Sequence, residues 1–413
     1  MTGQYYDDLE TRDPEVREAA LMAALPAQVA FAQDRAPAYG DLLAGVDPQT
    51  TDTRAALATL PITRKSDLPT LQAEKLPFAG LTSVDPGRLH RIFASPGPTY
   101  DAEGATPDYW RTARALFAAG ARSGDIVHNC FSYHFTPAGA MFETGAHALG
   151  CAVVPAGVGN TELQARTIAD VKPRLYVGTP DFLKIILEKS DELGLDASSL
   201  TLAHVSGGPL FPDLRAAYAD RGITVSQSYG TADLGLIAYE SEAGEGLILD
   251  ENILVEIVRP GTGDPVPVGE VGEVVVTTFA REYPLVRFAT GDLSALMPGI
   301  SPCGRTAPRI RGWMGRADQT TKVRGMFVHP RQIAEIVHRH SEIGRARLNV
   351  TSQADRDHME LLVETENMGD ESLMAAIAET LQSVTKLRGA VALVTPDTLP
   401  NDGIIIHDHR KNP

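Results

Sequence analysis

Residues 200–233 read LTLAHVSGGPLFPDLRAAYADRGITVSQSYGTAD, and this stretch decides the fold. The apolar run Leu202–Val205 predicts a strand, and the SGGP turn follows it. Residues Asp213–Ala219 predict a helix, after which Gly222 precedes a second strand at Ile223–Ser226. A strand, a helix and another strand in this order are typical of a parallel sheet with helices packed on it.

The same alternation extends towards the N-terminus. Cys151–Val154 and Leu175–Val177 predict two more strands. Between them, Thr161 and Gln164 have the spacing of a capping box, which predicts a helix from Thr161 to Val171. Further helices are predicted at Tyr109–Ala119 and from Pro180 to Gly194, and residues 1–90 are predicted to be helical and irregular.

The C-terminal half has a different pattern. Alternating or apolar runs at Ile253–Val258, Glu273–Thr278 and Leu285–Phe288 predict antiparallel strands of a small barrel-like part. Beyond Gly315 the predicted order is βαββαβ, which is compatible with a ferredoxin-like domain. Its strands are Lys322–Val328, Ala346–Thr351, Met359–Thr365 and Ala390–Val394, and its helices are Arg331–His340 and Glu371–Lys386. We therefore predict an α/β fold with a large domain at 1–317 and a small α+β domain at 318–413.

Composition excludes several classes of protein. The 413 residues carry a net charge of −16, which disfavours nucleic-acid and anionic-membrane partners. The three cysteines are far apart in the sequence, as expected in a reducing cytoplasm, and form no C-x-x-C pair. The polar N-terminus and the lack of a long apolar run predict neither a secretory signal nor a membrane span. We expect a cytoplasmic protein.

Several short segments, in this order and spacing, carry a family resemblance. They are YYDDLET, APAYGDLLAGVDP, LPITRKSDL, SYGTADLG, PLVRFATGDL, SPCGRTAPRI and GRADQTTKVRGMFVHPRQIAEIV. Together they cover most of the chain, and the chain resembles the adenylate-forming superfamily, specifically the phenylacetate–coenzyme A ligase family. The resemblance implies an AMP-forming ligase that uses ATP, Mg²⁺ and coenzyme A, binds a small carboxylic acid and is often a homodimer.

The resemblance also implies roles for single residues. Asp292 would bind the ribose hydroxyls with help from Arg316, and Tyr229 would lie against adenine. Asp233 would hold Mg²⁺, in a position where relatives have glutamate, and Asp318 would be the hinge of the small domain. Further nucleotide or catalytic contacts would come from Gly207, Gly208, Pro209, Gly230 and Thr231.

The phosphate loop departs from the family pattern. Relatives have a Gly/Ser/Thr-rich loop with one lysine, whereas this chain has SPGPTYDAEG at 95–104. Pro96 and Pro98 remove two N–H donors, and Asp101 stands where the lysine is expected. Glu103 adds a second negative charge. Two like charges about 4 Å apart repel by roughly 4 kcal/mol at an effective dielectric constant near 20. The loop is therefore predicted to disfavour triphosphate.

Two other departures concern a lysine and a metal. Ile404 occupies the position of the family's C-terminal catalytic lysine, and Lys411 is too close to the terminus to replace it. Relatives with structural zinc use cysteines and a histidine, but this chain has Ser241, Ser301 and Cys303 there. One thiolate cannot hold tetrahedral zinc, so we expect none. Two imidazoles at His407 and His409 are a weak alternative metal site.

The segment CFSYHF at 130–135 aligns with part of the family's acyl site. Phe131, Tyr133, His134 and Phe135 are therefore candidate substrate contacts. An equally open interpretation is that the three aromatic residues are core residues on alternating faces of a strand.

Two functional hypotheses follow. The first is an AMP-forming acyl- or aryl-CoA ligase, which Asp292, Arg316 and Asp233 favour. The second is a non-catalytic relative that binds AMP, acyl-adenylate or acyl-CoA, which Asp101 and Ile404 favour.

Overall fold

The computed structural model describes residues 4–95, 99–208, 210–314, 316, 317, 319, 321–328, 330–353, 356–400 and 405–410. The chain divides into two compact units, a larger one extending to Trp313 and a smaller one beginning at Met314. Each unit has a buried apolar core of its own. The boundary at residues 317 and 318 stays a prediction, because Asp318 lies outside the described residues.

The helices of the larger unit are short except for the first. They are α1 Pro14–Arg35, α2 Pro37–Leu42, α3 Arg54–Ala58, α4 Leu68–Glu74, α5 Thr112–Ala118, α6 Ala138–Ala148, α7 Thr161–Val171, α8 Pro180–Leu193 and α9 Pro212–Asp220. Among the described residues, no helix combines the length and the apolar character that crossing a bilayer requires.

The strands of the larger unit form two main sheets and a hairpin. They are β1 Thr63–Arg64, β2 Arg91–Ser95, β3 Thr99–Glu103, β4 Ile126–Asn129, β5 Ala152–Pro155, β6 Leu175–Gly178, β7 Leu202–Val205, β8 Thr224–Thr231, β9 Gly235–Tyr239, β10 Leu247–Leu249, β11 Ile253–Val258, β12 Gly272–Thr278, β13 Phe288–Ser294, β14 Leu296–Met297 and β15 Arg309–Ile310.

The first main sheet has nine strands in the order β14-β15-β10-β9-β8-β7-β6-β4-β5. Strands β5, β4, β6, β7 and β8 are parallel, as the strand–helix alternation predicts. All four residues of β6 are buried, which is typical of a parallel strand covered on both faces. The chain passes from β4 to β5 on one side and then to β6 on the other. The carboxyl end of β4 is therefore a topological switch point, where α/β sheets bind ligands.

Local predictions in this sheet are confirmed for β7 and α7, whose bounds match the sequence analysis. The capping box is wrong. Asn160, in a left-handed conformation, precedes α7, and Gln164 turns inward instead. Its Nε2 donates to the carbonyl oxygens of Gly157 at 3.0 Å and Gly159 at 2.7 Å. Helix α5 begins later than predicted, after Arg111, which has φ +63°.

The second main sheet has the order β1-β13-β12-β11, and β11 and β12 are buried along their whole length. The strand predicted at Leu285–Phe288 is displaced, since β13 starts only at Phe288. The cause is Arg287, which has φ +45° and is buried. Its guanidinium bonds Glu256 at 3.0 Å and the carbonyl oxygens of Ala58 and Leu60. This arrangement directs the chain into β13.

Buried ion pairs and hydrogen bonds hold the N-terminal segment against residues that come late in the sequence of the larger unit. Glu10 accepts a hydrogen bond from Arg305 Nε at 3.1 Å and another from Tyr239 Oη at 2.6 Å. Arg17 bonds Glu251 at 2.7 Å and Thr306 Oγ1 at 2.7 Å. The first 17 residues therefore belong to the fold of this unit.

The smaller unit is an α+β structure, as predicted. It contains β16 Thr321–Val323, β17 Met326–Val328, α10 Pro330–Arg339, β18 Ala346–Gln353, β19 Arg356–Glu364, α11 Glu371–Thr385, β20 Ala390–Val394 and β21 Ile406–Asp408. Its main sheet has the order β20-β19-β18-β21.

The ferredoxin-like arrangement is wrong in detail. The single strand predicted at Lys322–Val328 is a separate hairpin of β16 and β17, because Arg324 and Gly325 turn the chain with φ +49° and +83°. Strand β21, which the sequence analysis did not predict, pairs in parallel with β18 instead.

Candidate active site

Glycine turns and loops of the large sheet meet at the carboxyl ends of its parallel strands. Gly207 follows β7 with φ +73°, a backbone conformation that L side chains rarely adopt. A Cβ atom on Gly207 would lie 3.8 Å from Cε1 of Phe131, which follows β4. Gly208 is the next residue, and the predicted contact Pro209 lies outside the described residues. The structure thus brings Gly207 and Phe131 together at the switch point.

Asp292 on β13 belongs to a polar cluster that includes Tyr229 of β8, and it is 8% exposed. Tyr229 Oη donates to its Oδ2 at 2.9 Å, and Trp313 Nε1 donates to its Oδ1 at 3.1 Å. The backbone N–H of Asp292 donates to Thr290 Oγ1 at 3.0 Å. Two side-chain donors therefore hold the carboxylate in one orientation. The sequence analysis predicted Tyr229 and Asp292 but missed Trp313, which lies just before the GRAD segment.

Asp233 forms an ion pair with Lys65, which the sequence analysis also missed. Lys65 Nζ donates to Asp233 Oδ2, and Thr231 Oγ1 lies 3.4 Å from the same oxygen. Lys65 reaches this place because β1 pairs in parallel with β13, so that the residue after Arg64 comes next to Thr290. Its side chain is 31% exposed, whereas Asp233 is buried.

Electrostatics keep Lys65 charged. Burial lowers the pKa of Lys65, but the charges of Asp233 and Asp101 and the hydrogen bond to Asp233 outweigh this effect, so the pKa lies above its ordinary value. Asp292 contributes in the same direction. A permanent positive charge therefore lies among three carboxyl groups at the strand edge.

The YGTAD turn needs its glycine for a steric reason. Gly230 follows Tyr229 at an irregularity in the β8–β9 pairing. A Cβ atom on Gly230 would lie 2.5 Å from the carbonyl oxygen of Gly235. Only glycine lets the two strands approach this closely, which fixes Tyr229 and Thr231 on either side of the turn.

The predicted phosphate loop is a β-hairpin of β2 and β3 in the part the structure describes. Asp101 lies on β3, is fully buried and accepts a hydrogen bond from Ser95 Oγ. Gln72 on α4 holds the neighbouring backbone, since its Nε2 donates to the carbonyl oxygen of Tyr100 at 2.9 Å. Residues Pro96, Gly97 and Pro98 lie outside the described residues.

The two acidic residues of this hairpin differ. Burial raises the pKa of Asp101 to about 7, and the charge of Asp233 adds to the shift, while Lys65 and Ser95 oppose it. Burial raises the pKa of Glu103 as well, but Arg91 opposes this shift, and its Nη1 donates to Glu103 at 2.8 Å. The expectation of a second uncompensated charge is therefore wrong for Glu103, because Arg91 on β2 neutralises it.

The candidate acyl residues do not form one group. Phe131 is buried and stacks on Phe142 with ring centroids 4.9 Å apart. Tyr133 is partly exposed, and its Oη accepts a hydrogen bond from Asn129 Nδ2 at 2.8 Å. His134 and Phe135 lie on an exposed loop, where Phe135 is 66% exposed. The alternating-strand interpretation is wrong, since β4 ends at Asn129 and a loop follows.

A buried histidine that the sequence analysis did not single out lies behind this region. His204 on β7 is fully buried, and its two ring nitrogens lie 2.9 Å from Ser226 Oγ and 2.9 Å from Ser228 Oγ. Its ring centroid is 5.6 Å from that of Phe142. Burial lowers the pKa of His204 to about 3, so the imidazole is neutral at physiological pH.

The chain is similar to known proteins of one family. A family model described as "AMP-binding enzyme" matches residues 106–280, and one described as "AMP-binding enzyme C-terminal domain" matches residues 325–404. The chain is 32% identical to a phenylacetate–coenzyme A ligase from Thermus thermophilus, over 96% of this chain and 93% of that protein. It is 31% identical to the phenylacetate–coenzyme A ligase of Escherichia coli, over 88% and 86% of the two chains.

The chain belongs to the phenylacetate–coenzyme A ligase family. Its fold is also that of a 2-hydroxyisobutyryl-CoA ligase solved with 2-HIB-AMP and CoA, with a TM-score of 0.78 at 24% identity, over 99% of this chain and 93% of that one. AMP-forming acyl-CoA ligases of this family act on ATP and coenzyme A.

Two family positions fall in the smaller unit. Arg316 is half-buried there, and Asp318, the predicted hinge, lies outside the described residues. The segment with Ile404 at the position of the family's lysine, and Lys411 after it, also lie outside them. Their roles stay predictions.

The positions that hold zinc in some relatives form a hydrogen-bonded group instead. Ser301 Oγ lies 3.1 Å from Cys303 Sγ, and Arg305 Nη1 donates to the same sulfur at 3.5 Å. Burial raises the pKa of Cys303, but hydrogen bonds from Ser241, Ser301 and Arg305 outweigh it, so the pKa lies below its ordinary value. Among the described residues, no three His, Cys, Asp or Glu side chains come together as metal ligands, and this includes His407 and His409.

Proposed function

We propose that this chain is an AMP-forming ligase that joins a small carboxylic acid to coenzyme A through an acyl-adenylate. The observation that carries the proposal is the cluster of Tyr229, Asp292 and Trp313 at the end of the parallel strands. A carboxylate that binds the ribose hydroxyl groups must present its acceptor oxygens in a fixed direction. The two donors orient the carboxylate of Asp292 in this way. We also propose Arg316 as a ribose-binding residue, as the family resemblance implies.

The remaining nucleotide contacts follow from the same edge of the sheet. Backbone at Gly207 and Gly208 would lie against adenine, because glycine allows a flat ring to approach the main chain closely, and Gly230 would hold Tyr229 in place beside the ring. Thr231 would donate its hydroxyl group to phosphate oxygen. Phe131, which is stacked and buried beside Gly207, is the strongest of the proposed acyl contacts.

Lys65 would supply positive charge near the reacting phosphate. Its pKa is raised by Asp233 and Asp101, so it stays protonated, and its partly exposed side chain leaves it accessible. A fixed cation stabilises the charge that develops when a carboxylate attacks phosphorus. Lys65 would therefore supply part of the positive charge that the family's C-terminal lysine provides, since Ile404 stands at the position of that lysine here.

Mg²⁺ fits Asp233 in this chain. Its Oδ1 is buried and has no hydrogen-bond partner among the described residues, so one carboxylate oxygen is available to a hard cation. When bound, Mg²⁺ neutralises charge on phosphate oxygens. Asp233 and Lys65 would orient the same phosphates from the protein side.

Pyrophosphate exchange tests the proposal directly. The protein should exchange labelled pyrophosphate into ATP in the presence of one acid from a panel of aryl and short-chain acids. Asp292→Asn should lower that exchange and weaken AMP binding by about tenfold or more, because one uncharged amide replaces an acceptor of two hydroxyl groups. Asp264→Asn, at an exposed loop, is the matched control and should leave both unchanged.

A second candidate function is binding without catalysis, and Asp101 favours it. A buried carboxyl group replaces the family's lysine on the hairpin that should face the pyrophosphate. A protein that binds AMP or acyl-CoA but exchanges no pyrophosphate with any acid would support this alternative and contradict the ligase.

We also propose a homodimer in the cytoplasm, as the family resemblance implies. All three cysteines are free and buried, which suits a reducing compartment. Light scattering on the eluting peak of a gel-filtration column tests the oligomeric state, and a mass near 44.2 kDa would contradict the dimer.

A further inference from the structure

Three residues of β7, β8 and the turn after β7 form a polar wall that the proposed nucleotide contacts do not include. They are His204, Ser206 and Ser228. His204 is fully buried, and its ring nitrogens lie 2.9 Å from Ser226 Oγ and 2.9 Å from Ser228 Oγ. Ser206 Oγ donates to the carbonyl oxygen of Ser228 at 2.9 Å. These bonds join the two strands directly beside the turn at Gly207.

The polar wall lies on one face of β8, and the proposed ribose site lies on the other. Side chains alternate between the two faces of a strand, so Ser226 and Ser228 share a face. Both contact His204 on β7. Tyr229 lies on the opposite face, where it bonds Asp292. Neighbouring residues of one strand therefore separate the nucleotide side from the side of the polar wall.

The side of the polar wall is also that of the buried aromatic pair. The ring centroid of His204 lies 5.6 Å from that of Phe142, and Phe142 stacks on Phe131. Phe131 in turn lies beside Gly207, at the switch point of the sheet. An acyl group bound there would meet the apolar ring of Phe131 and the hydroxyl group of Ser228. This combination suits an aromatic acid with one polar substituent.

Ser228 keeps hydrogen-bonding capacity that the protein does not use. It is half-buried, and among the described residues its Oγ bonds only His204. Burial lowers the pKa of His204 to about 3, so the neutral ring has one N–H donor and one acceptor nitrogen. If Nε2 accepts, Ser228 keeps two lone pairs; if Nε2 donates, Ser228 keeps its hydrogen and one lone pair. A hydroxyl group on a ligand both donates and accepts, so it can pair with Ser228 in either case.

We propose that Ser228 selects an aromatic acid that carries a hydroxyl group on its ring. This inference names the substrate class of the acyl site, and it rests on the proposed function. The ring of the acid would lie beside Phe131, and its hydroxyl group would bond Ser228 Oγ. An acid with a methyl group at the same place would cover Ser228 without bonding it. A polar group covered and left unpaired costs binding free energy, which is the basis of the selection.

Calorimetry with the free acids tests the selection without requiring turnover. The ortho-, meta- and para-hydroxyphenylacetic acids are each compared with the methylphenylacetic acid of the same substitution, with and without AMP. At least one hydroxy acid should bind the parent protein about tenfold more tightly than its methyl counterpart. Ser228→Ala should bring that ratio of affinities to about one, because the variant removes the hydroxyl group that distinguishes the two acids.

Ser226→Ala is the matched control, because it removes the other partner of the same imidazole on the same face of β8. If the serines only hold His204 in the core, both variants should lose stability in denaturant unfolding and neither should change the ratio of affinities. If Ser228 also contacts the acid, the ratio should fall in Ser228→Ala and stay about tenfold in Ser226→Ala.

Each outcome decides the selection separately from the ligase assay. A ratio that is lost in Ser228→Ala and kept in Ser226→Ala supports the proposal, even when no acid supports pyrophosphate exchange; that failure would contradict the ligase instead. Equal binding of hydroxy and methyl acids by the parent, an unchanged ratio in Ser228→Ala, or loss of the ratio in both variants overturns it. Failure of every acid to bind also overturns it. Near-ultraviolet circular dichroism establishes that each variant is folded.

Discussion

Replacing Asp101 with asparagine should stabilise the larger unit at neutral and alkaline pH in metal-free buffer. Burial and the charge of Asp233 raise the pKa of this carboxyl group from 3.8 to about 7. The folded protein therefore binds a proton that the unfolded chain has released, and stability falls as pH rises between these two values. The slope is about 1.4 kcal/mol per pH unit, so roughly three units amount to an upper limit of about 4 kcal/mol. Asparagine does not ionise and avoids this loss.

Denaturant unfolding from pH 4.5 to 8.5 with EDTA measures the effect. The only tryptophans, Trp110 and Trp313, both belong to the larger unit, so their fluorescence reports that unit alone. The stability difference between Asp101→Asn and the parent should grow with pH and level off above about pH 7. Parallel stability curves would refute the reasoning, because they would mean that Asp101 ionises normally in the folded protein.

Three further predictions concern other parts of the larger unit. Glu10→Ala should destabilise it by about 3 kcal/mol, measured by the same fluorescence, because the variant removes the buried carboxylate that bonds Arg305 and Tyr239 and leaves Arg305 only the exposed Glu242 as an ion-pair partner; a loss under 1 kcal/mol would contradict this. Trp313→Phe should weaken AMP binding by roughly tenfold in calorimetry, since Asp292 loses one of its orienting donors, and unchanged affinity would argue against that role. The imidazole of His204 should not titrate between pH 5 and 8 in nitrogen-15 NMR, because its pKa is lowered to about 3; a midpoint near 6.5 would show that water reaches it.

Sequence patterns predicted what depends on near neighbours. The bounds of α7 and β7 follow from apolar runs with a proline or a glycine close by, and the structure has them in those places. The turn at Tyr229 and the position of Asp292 are predicted from short motifs, although the strand predicted at Leu285–Phe288 ends before Asp292 and β13 contains it. Both sets of signals lie within a few residues, so no knowledge of the tertiary structure was needed.

Contacts between distant residues were not predictable in this way. Lys65 meets Asp233 across 168 positions of sequence, only because β1 happens to pair with β13. His204 is polar on a buried strand, and its serine partners lie on the next strand rather than beside it in sequence. Gln164 has the spacing expected of a capping-box residue, but its side chain donates to a backbone carbonyl oxygen in the interior instead. Each of these outcomes depends on which elements pack together.

The fastening of the N-terminal segment has a consequence for synthesis on the ribosome. Glu10 cannot pair with Arg305 until that residue is synthesised, 295 residues later. Arg17 likewise cannot bond Thr306 until Thr306 has been added to the chain. Arg17 on the first helix gains its carboxylate partner once Glu251 emerges, but Glu10 gains its Arg305 partner only later. Pairing across such sequence distances slows folding and leaves early segments exposed for longer. A chain that stops before residue 305 would therefore keep the bonds of Arg17 to Glu251 and of Glu10 to Tyr239 but lack those to Arg305 and Thr306, so its N-terminal segment would be held less firmly.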